Sequence, residues 1–138
     1  MMDCLIIGDS IAVGLSNFRK DCISFSKGGI TSRGWSINHI NRPSLNMIDY
    51  NTAVISLGTN DGVHIETYEF LTEIRSVISA KTVYWIMPAI NPRAQEMVLK
   101  VARHRGDRIV YIKDLSSDGV HPSTNGYKWL AYQTQMGE

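Results

Sequence analysis

Five short apolar runs, alternating with stretches of helical spacing, constrain this 138-residue chain more than any other feature. Cys4-Leu5-Ile6-Ile7 closes at Gly8, and Ala53 to Leu57 closes at Gly58. Unbroken runs of this kind suit central parallel strands covered on both faces. Cys22 to Phe25, Thr82 to Met87 (stopped by Pro88) and Ile109 to Ile112 complete the set. Between them the spacing predicts a helix from Ile11 to Phe18, and Thr31-Ser32 caps another that reaches Ile40 and is stopped by Pro43. From Thr67, the residues Phe70, Leu71, Ile74, Val77 and Ile78 repeat on one helical face. Asn91-Pro92 opens a helix that Gly106 closes, and Ser123 or Thr124 starts a last one carrying Tyr127, Leu130, Ala131 and Thr134. Strand then helix, five times over, predicts a parallel sheet with helices on both faces in a single domain spanning 1–138.

Bulk properties exclude several classes. At 43% hydrophobic and 20% charged residues the composition is that of an ordinary globular protein. A net charge of +1 gives no electrostatic reason for a nucleic-acid or anionic-membrane partner. Arg103, His104, Arg105 and Arg108 form a basic cluster that suits the exposed C-terminal end of a helix. No apolar stretch approaches the ~20 residues of a spanning helix, and the first apolar run begins at Cys4, leaving no room for a signal peptide. Cys4 and Cys22 lack framework spacing and read as small buried core thiols in a reducing compartment, with a disulfide as the lesser alternative. The expectation is therefore a cytoplasmic protein with neither a nucleic-acid nor a membrane partner. The oligomeric state is not legible.

Placement on the sheet matters more than helix boundaries. Ser10, Gly29, Asn60 and Pro88 each follow the carboxyl end of a strand, and His121 follows the last one, at the edge where sites assemble in open α/β sheets. A serine hydroxyl needs a base to become a nucleophile. His121 can be that base, and Asp118, three residues earlier in a Gly-containing loop, can orient the imidazole and stabilise its cation. The tetrahedral intermediate of acyl transfer needs donors for its oxyanion. Ser10 and Gly29 can each offer a backbone N–H, with Gly28 as the donor if the loop register differs, and Asn60 can add its side-chain amide. Asp9 and Asp61 read as structural residues bonding loop amides. Arg33, Trp35, His64 and Asn91 stand close enough to these motifs to be candidates for lining the substrate cleft. His39, His64 and His104 have no metal-ligand spacing, so no metal is expected. The loop after the first strand has no Gly-Lys-Ser/Thr phosphate cradle and no acidic cluster suggests phosphorylation, which argues against a flavin binder or phosphoacceptor domain on the same sheet.

Four segments carry a specific resemblance. Gly8-Asp9-Ser10-Ile11, Gly29-Ile30-Thr31-Ser32, Gly58-Thr59-Asn60-Asp61 and Asp118-Gly119-Val120-His121-Pro122-Ser123 resemble the sequence blocks of the SGNH hydrolases, or GDSL esterase/lipase family. The resemblance runs from residue 5 to about 132. It implies a flavodoxin-like three-layer sandwich with a parallel sheet of about five strands. It also implies a Ser10, Asp118, His121 triad, an oxyanion hole from Ser10, Gly29 and Asn60, and no metal or organic cofactor. The expected activity is hydrolysis of carboxylic esters, short acyl (acetyl) esters above all, on a small molecule or a glycan. Thioesterase, lysophospholipase and acyltransferase roles use the same triad, and a binding module of this fold with lapsed chemistry is the non-enzymatic alternative. Ile11 stands where the family usually has leucine. The chain is short for the family, which implies a shallow, open site suited to short acyl groups.

Overall fold

A computed structural model describes residues 2–135. The elements are β1 (Met2–Gly8), α1 (Ser10–Ser16), β2 (Cys22–Ser26), α2 (Ser32–His39), α3 (Pro43–Asn46), β3 (Asp49–Ser56), α4 (Thr67–Ser76), β4 (Ser79–Ile86), α5 (Pro92–Arg105), β5 (Arg108–Val110) and α6 (Thr124–Gln133). All five strands pair in parallel in the order β2-β1-β3-β4-β5. Alternation along each central strand builds two cores. Leu5, Ile7, Ala53, Ile55, Val83 and Trp85 face one side, where they pack with Trp35, Leu71, Ile74 and Val98. Cys4, Ile6, Val54, Tyr84 and Ile86 face the other, against Ile11, Leu15 and Leu130. Successive side chains point to opposite faces of a strand, so an unbroken apolar run fills both cores at once. The result is an α/β three-layer sandwich of the flavodoxin-like kind.

The helix signals act as their chemistry suggests. Thr31 caps α2 by accepting from the Gly34 amide at 3.0 Å, and Ser123 caps α6 by accepting from the Gly126 amide at 3.0 Å. Pro92 occupies the first turn of α5 and Gly106 ends it in a left-handed conformation.

Three expectations are corrected. Pro43 starts the four-residue helix α3 rather than merely ending the helix before it, because a first-turn proline gives up no helical hydrogen bond. The fifth strand is Arg108–Val110, displaced from Ile109–Ile112, because its pairing with β4 ends at Val110 opposite Ile86. Cys4 and Cys22 are not free thiols but a disulfide. They sit directly opposite in the β1–β2 register with Cα atoms 4.4 Å apart, within bridging range. The reading of a reducing compartment rested on free thiols and loses that support. Among the described residues no helix is long and apolar enough to cross a membrane.

Candidate active site

The chain leaves β1 for β2 on one side and for β3 on the other, so its direction reverses between the carboxyl ends of β1 and β3. Such a reversal opens a crevice for ligands in doubly wound sheets. Ser10 begins α1 beside that crevice, and Asn60 lies in the loop after β3. Gly8 makes the sharp exit possible. Its φ is +141°, and a Cβ there would lie 1.9 Å from the Ser56 carbonyl oxygen. Asp9 then anchors the corner. Its amide donates to the Ser56 carbonyl at 3.0 Å, and its Oδ1 accepts from the Ile11 amide and the Ser56 hydroxyl, both at 3.0 Å. Asp9 is fully buried, its Oδ2 has no partner among the described residues, and burial pushes its carboxyl up to about 6.

The histidine arrives on a self-braced hairpin. Leu115 bridges Pro122, the Ser116 amide donates to the His121 carbonyl at 2.8 Å, and the Ser123 amide donates to the Asp114 carbonyl at 2.9 Å. His121 Nε2 lies 2.7 Å from Ser10 Oγ, and its Nδ1 lies 2.7 Å from Asp118 Oδ2. The other carboxylate oxygen, Asp118 Oδ1, accepts from the amides of Val120 (2.8 Å) and His121 (2.9 Å) and from the Ser116 hydroxyl (2.8 Å). The two backbone N–H groups, joined by the His121 ring and the Ser116 hydroxyl, hold the Asp118 carboxyl well below the usual range. It stays an anion that fixes the imidazole. Ser116 is the participant that sequence reasoning missed. Its one signal is a place two residues before Asp118, which does not distinguish it from any loop serine.

The remaining donors come from two turns. The Ile30 amide donates to the Lys27 carbonyl at 3.3 Å, closing a turn whose third residue, Gly29, has φ +76°. A positive φ at that place is the signature of a type II turn. Gly28 is the glycine packed against the serine, since a Cβ on it would lie 3.8 Å from Ser10 Cβ, whereas one on Gly29 would meet nothing within 4 Å. Asn60 is exposed and donates from Nδ2 to the Ile30 carbonyl at 3.1 Å, which leaves one amide hydrogen uncommitted. Asp61 beside it is buried and accepts from the Ser32 amide (2.8 Å), the Ser32 hydroxyl (2.5 Å) and the Thr67 hydroxyl (2.7 Å).

The four cleft-lining candidates separate. The side chains of Arg33 and His64 are exposed and make no hydrogen bond or ion pair with a described residue. Trp35 is fully buried and donates from its indole to the Phe25 carbonyl at 2.8 Å, so it belongs to the core and not to a cleft wall. Asn91 is half-buried, and its amide is committed to protein partners. Nδ2 donates to the carbonyls of Gly58 (3.1 Å) and Asp61 (2.8 Å), and Oδ1 accepts from the Ala94 amide at 3.2 Å. An apolar groove of about 520 Å³ lies where β4 and β5 end, between Met87, Pro88, Leu99, Tyr111, Ile112 and Leu115.

No family model and no curated protein matches the sequence. Solved structures do. A lipase/acylhydrolase from Enterococcus faecalis superposes with a TM-score of 0.68 at 16% identity, over 95% of this chain and 92% of that one. A GDSL-like lipase from Bacteroides thetaiotaomicron gives 0.65 at 18% identity, over 95% and 84%. This chain has the SGNH hydrolase fold. The C-terminal catalytic domain of Streptococcus pneumoniae peptidoglycan O-acetyltransferase A, with a methylsulfonyl adduct, shares the fold at a TM-score of 0.62 and 17% identity, over 98% and 91%. Identities this low establish the SGNH hydrolase architecture, which these neighbours use for acyl hydrolysis and acyl transfer.

Proposed function

We propose that the protein is a serine ester hydrolase working through an acyl-enzyme, with Ser10 as nucleophile, His121 as general base and acid, and Asp118 as its orienter. The observation that carries this reading is the continuous relay Ser10 Oγ–His121 Nε2 at 2.7 Å and His121 Nδ1–Asp118 Oδ2 at 2.7 Å, built from segments 111 residues apart. Ser10 Oγ attacks the ester carbonyl carbon as its proton passes to His121 Nε2. The oxyanion is met by the N–H groups of Ser10 and Gly29 and by the free amide hydrogen of Asn60. Collapse expels the alcohol, which takes the proton from His121. Water, deprotonated by the same nitrogen, then attacks the acyl carbon and releases the acid.

The substrate class in this reading is a short acyl ester, an acetyl group on a carbohydrate in its most specific form. The exposure of Gly28, Gly29 and Asn60 supports it, because nothing there encloses a long chain. A second reading, acyl transfer to a sugar hydroxyl in place of water, is favoured by the O-acetyltransferase domain among the fold neighbours. The test is labelling with a fluorophosphonate together with turnover of p-nitrophenyl acetate. The native chain labels and turns over, whereas Ser10→Ala does not label and loses at least about 10⁴-fold in kcat. Labelling that survives the substitution places the nucleophile elsewhere.

A further inference from the structure

Asn91 is the one non-glycine residue among those described with a positive φ, at φ 73° and ψ 78°. It caps α5, yet a helix cap ordinarily sits in the extended region and uses only its side-chain oxygen. Here the oxygen does the capping, and the nitrogen is turned the other way. Nδ2 donates to the carbonyls of Gly58 and Asp61. Those two residues are the ends of a turn, since the Asp61 amide donates to the Gly58 carbonyl at 3.1 Å, and Asn60 is the turn's third residue. One amide therefore closes the mouth of the turn that presents Asn60. Arg93, two residues on, extends the brace by donating to the Ile65 carbonyl at 2.5 Å and the Thr67 hydroxyl at 3.2 Å. A left-handed backbone is uncommon at a residue other than glycine and is kept where surrounding bonds hold it. Capping alone does not require it. In this conformation the same side chain also reaches Gly58 and Asp61.

We infer that Asn91 is a positioning residue for the acyl-transfer step, its side-chain amide holding the 58–61 turn so that Asn60 aims its free N–H at the oxyanion. The inference rests on the reading of Asn60 as an oxyanion donor. Asn91 touches no reacting atom and acts only through the turn. Its loss therefore lowers kcat and leaves the ground-state complex, and so KM, nearly as it was. Asparagine at this place is readable only in three dimensions, because an Asn-Pro pair reads simply as a helix start.

The test is a double-variant cycle on p-nitrophenyl acetate turnover, run well below the melting temperature of each variant. Asn60→Ala removes the donor and lowers kcat by about 10²-fold or more. Asn91→Asp keeps the capping oxygen and tolerates the left-handed backbone but loses the donors. It lowers kcat about tenfold, with KM within threefold of the native value. In the Asn60→Ala background the same change has an effect below about twofold, because its target is already gone. Asn91→Gly, which accepts the backbone conformation freely, serves as a second variant and reproduces the kcat loss and its disappearance. If Asn60→Ala turns over like the native chain, the oxyanion reading falls and takes this inference with it. If Asn60→Ala is impaired but the position-91 variants are not, or their losses multiply in full, only the positioning role is overturned.

Discussion

At the scale of single residues, the buried carboxyl of Asp9, next to Ser10, sets a measurable dependence on pH. An aspartate in an unfolded chain ionises near 3.8, whereas burial holds the folded Asp9 at about 6. Between those values the folded protein keeps a proton that the unfolded chain has released. Stability from this group is full below pH 3.8 and drains away as pH rises through about 6. The difference corresponds to about 3 kcal/mol. Asp9→Asn cannot titrate and keeps an oxygen acceptor for Ile11 and Ser56. Urea denaturation at pH 4 and pH 7 should therefore show the variant gaining on the native chain by up to about 3 kcal/mol at the higher pH. Parallel losses in both proteins would mean that Asp9 is ionised throughout. The juxtaposition of Ser10, His121 and Asp118 was legible at this scale because a serine after β1 and an Asp-x-x-His after β5 have fixed places on the sheet. Trp35 was misread because sequence proximity to a motif says nothing about which way a side chain turns.

At the scale of elements, the disulfide ties the edge strand β2 to its only partner, β1. The bridge spans 18 residues, and closing a loop of that length stabilises a fold by about 3 kcal/mol. Reduction, or Cys22→Ser, should lower Tm by roughly 10 °C in calorimetry with and without reductant. An unchanged Tm, with two titratable thiols in the denatured chain, would show that the pair does not form. The cysteines looked like core thiols because lateral register is absent from a linear string. Only the pairing of β1 with β2 puts them opposite each other. The same limit explains β5, whose apolar neighbours Tyr111 and Ile112 extend the pattern but leave the ladder to line the groove. Central strands carried no such ambiguity, since burial on both faces writes itself as an unbroken apolar run.

At the scale of the whole molecule, strand order decides where chemistry gathers. With β1 and β3 adjacent, the ends that carry Ser10 and Asn60 lie side by side, and β2 brings the Gly28-Gly29 turn to the same corner. The surroundings are open there, while the apolar groove sits toward β4 and β5. On p-nitrophenyl esters, kcat/KM should be at least about tenfold higher for acetate than for decanoate. A reversed preference would mean that long chains reach that groove and bind along it. The alternation of strand and helix made this architecture readable before any coordinates. The groove was not readable, because its walls depend on how α5 and the 111–115 segment lean on the sheet.

Gly8 bears on any attempt to redesign this protein. With the carbonyl of Ser56 occupying the space where a side chain would begin, that position admits no replacement, and the approach to Ser10 is fixed at the backbone level. New specificities would have to be written in the outer loops around Val63 and Ile90, where side chains already stand in solvent.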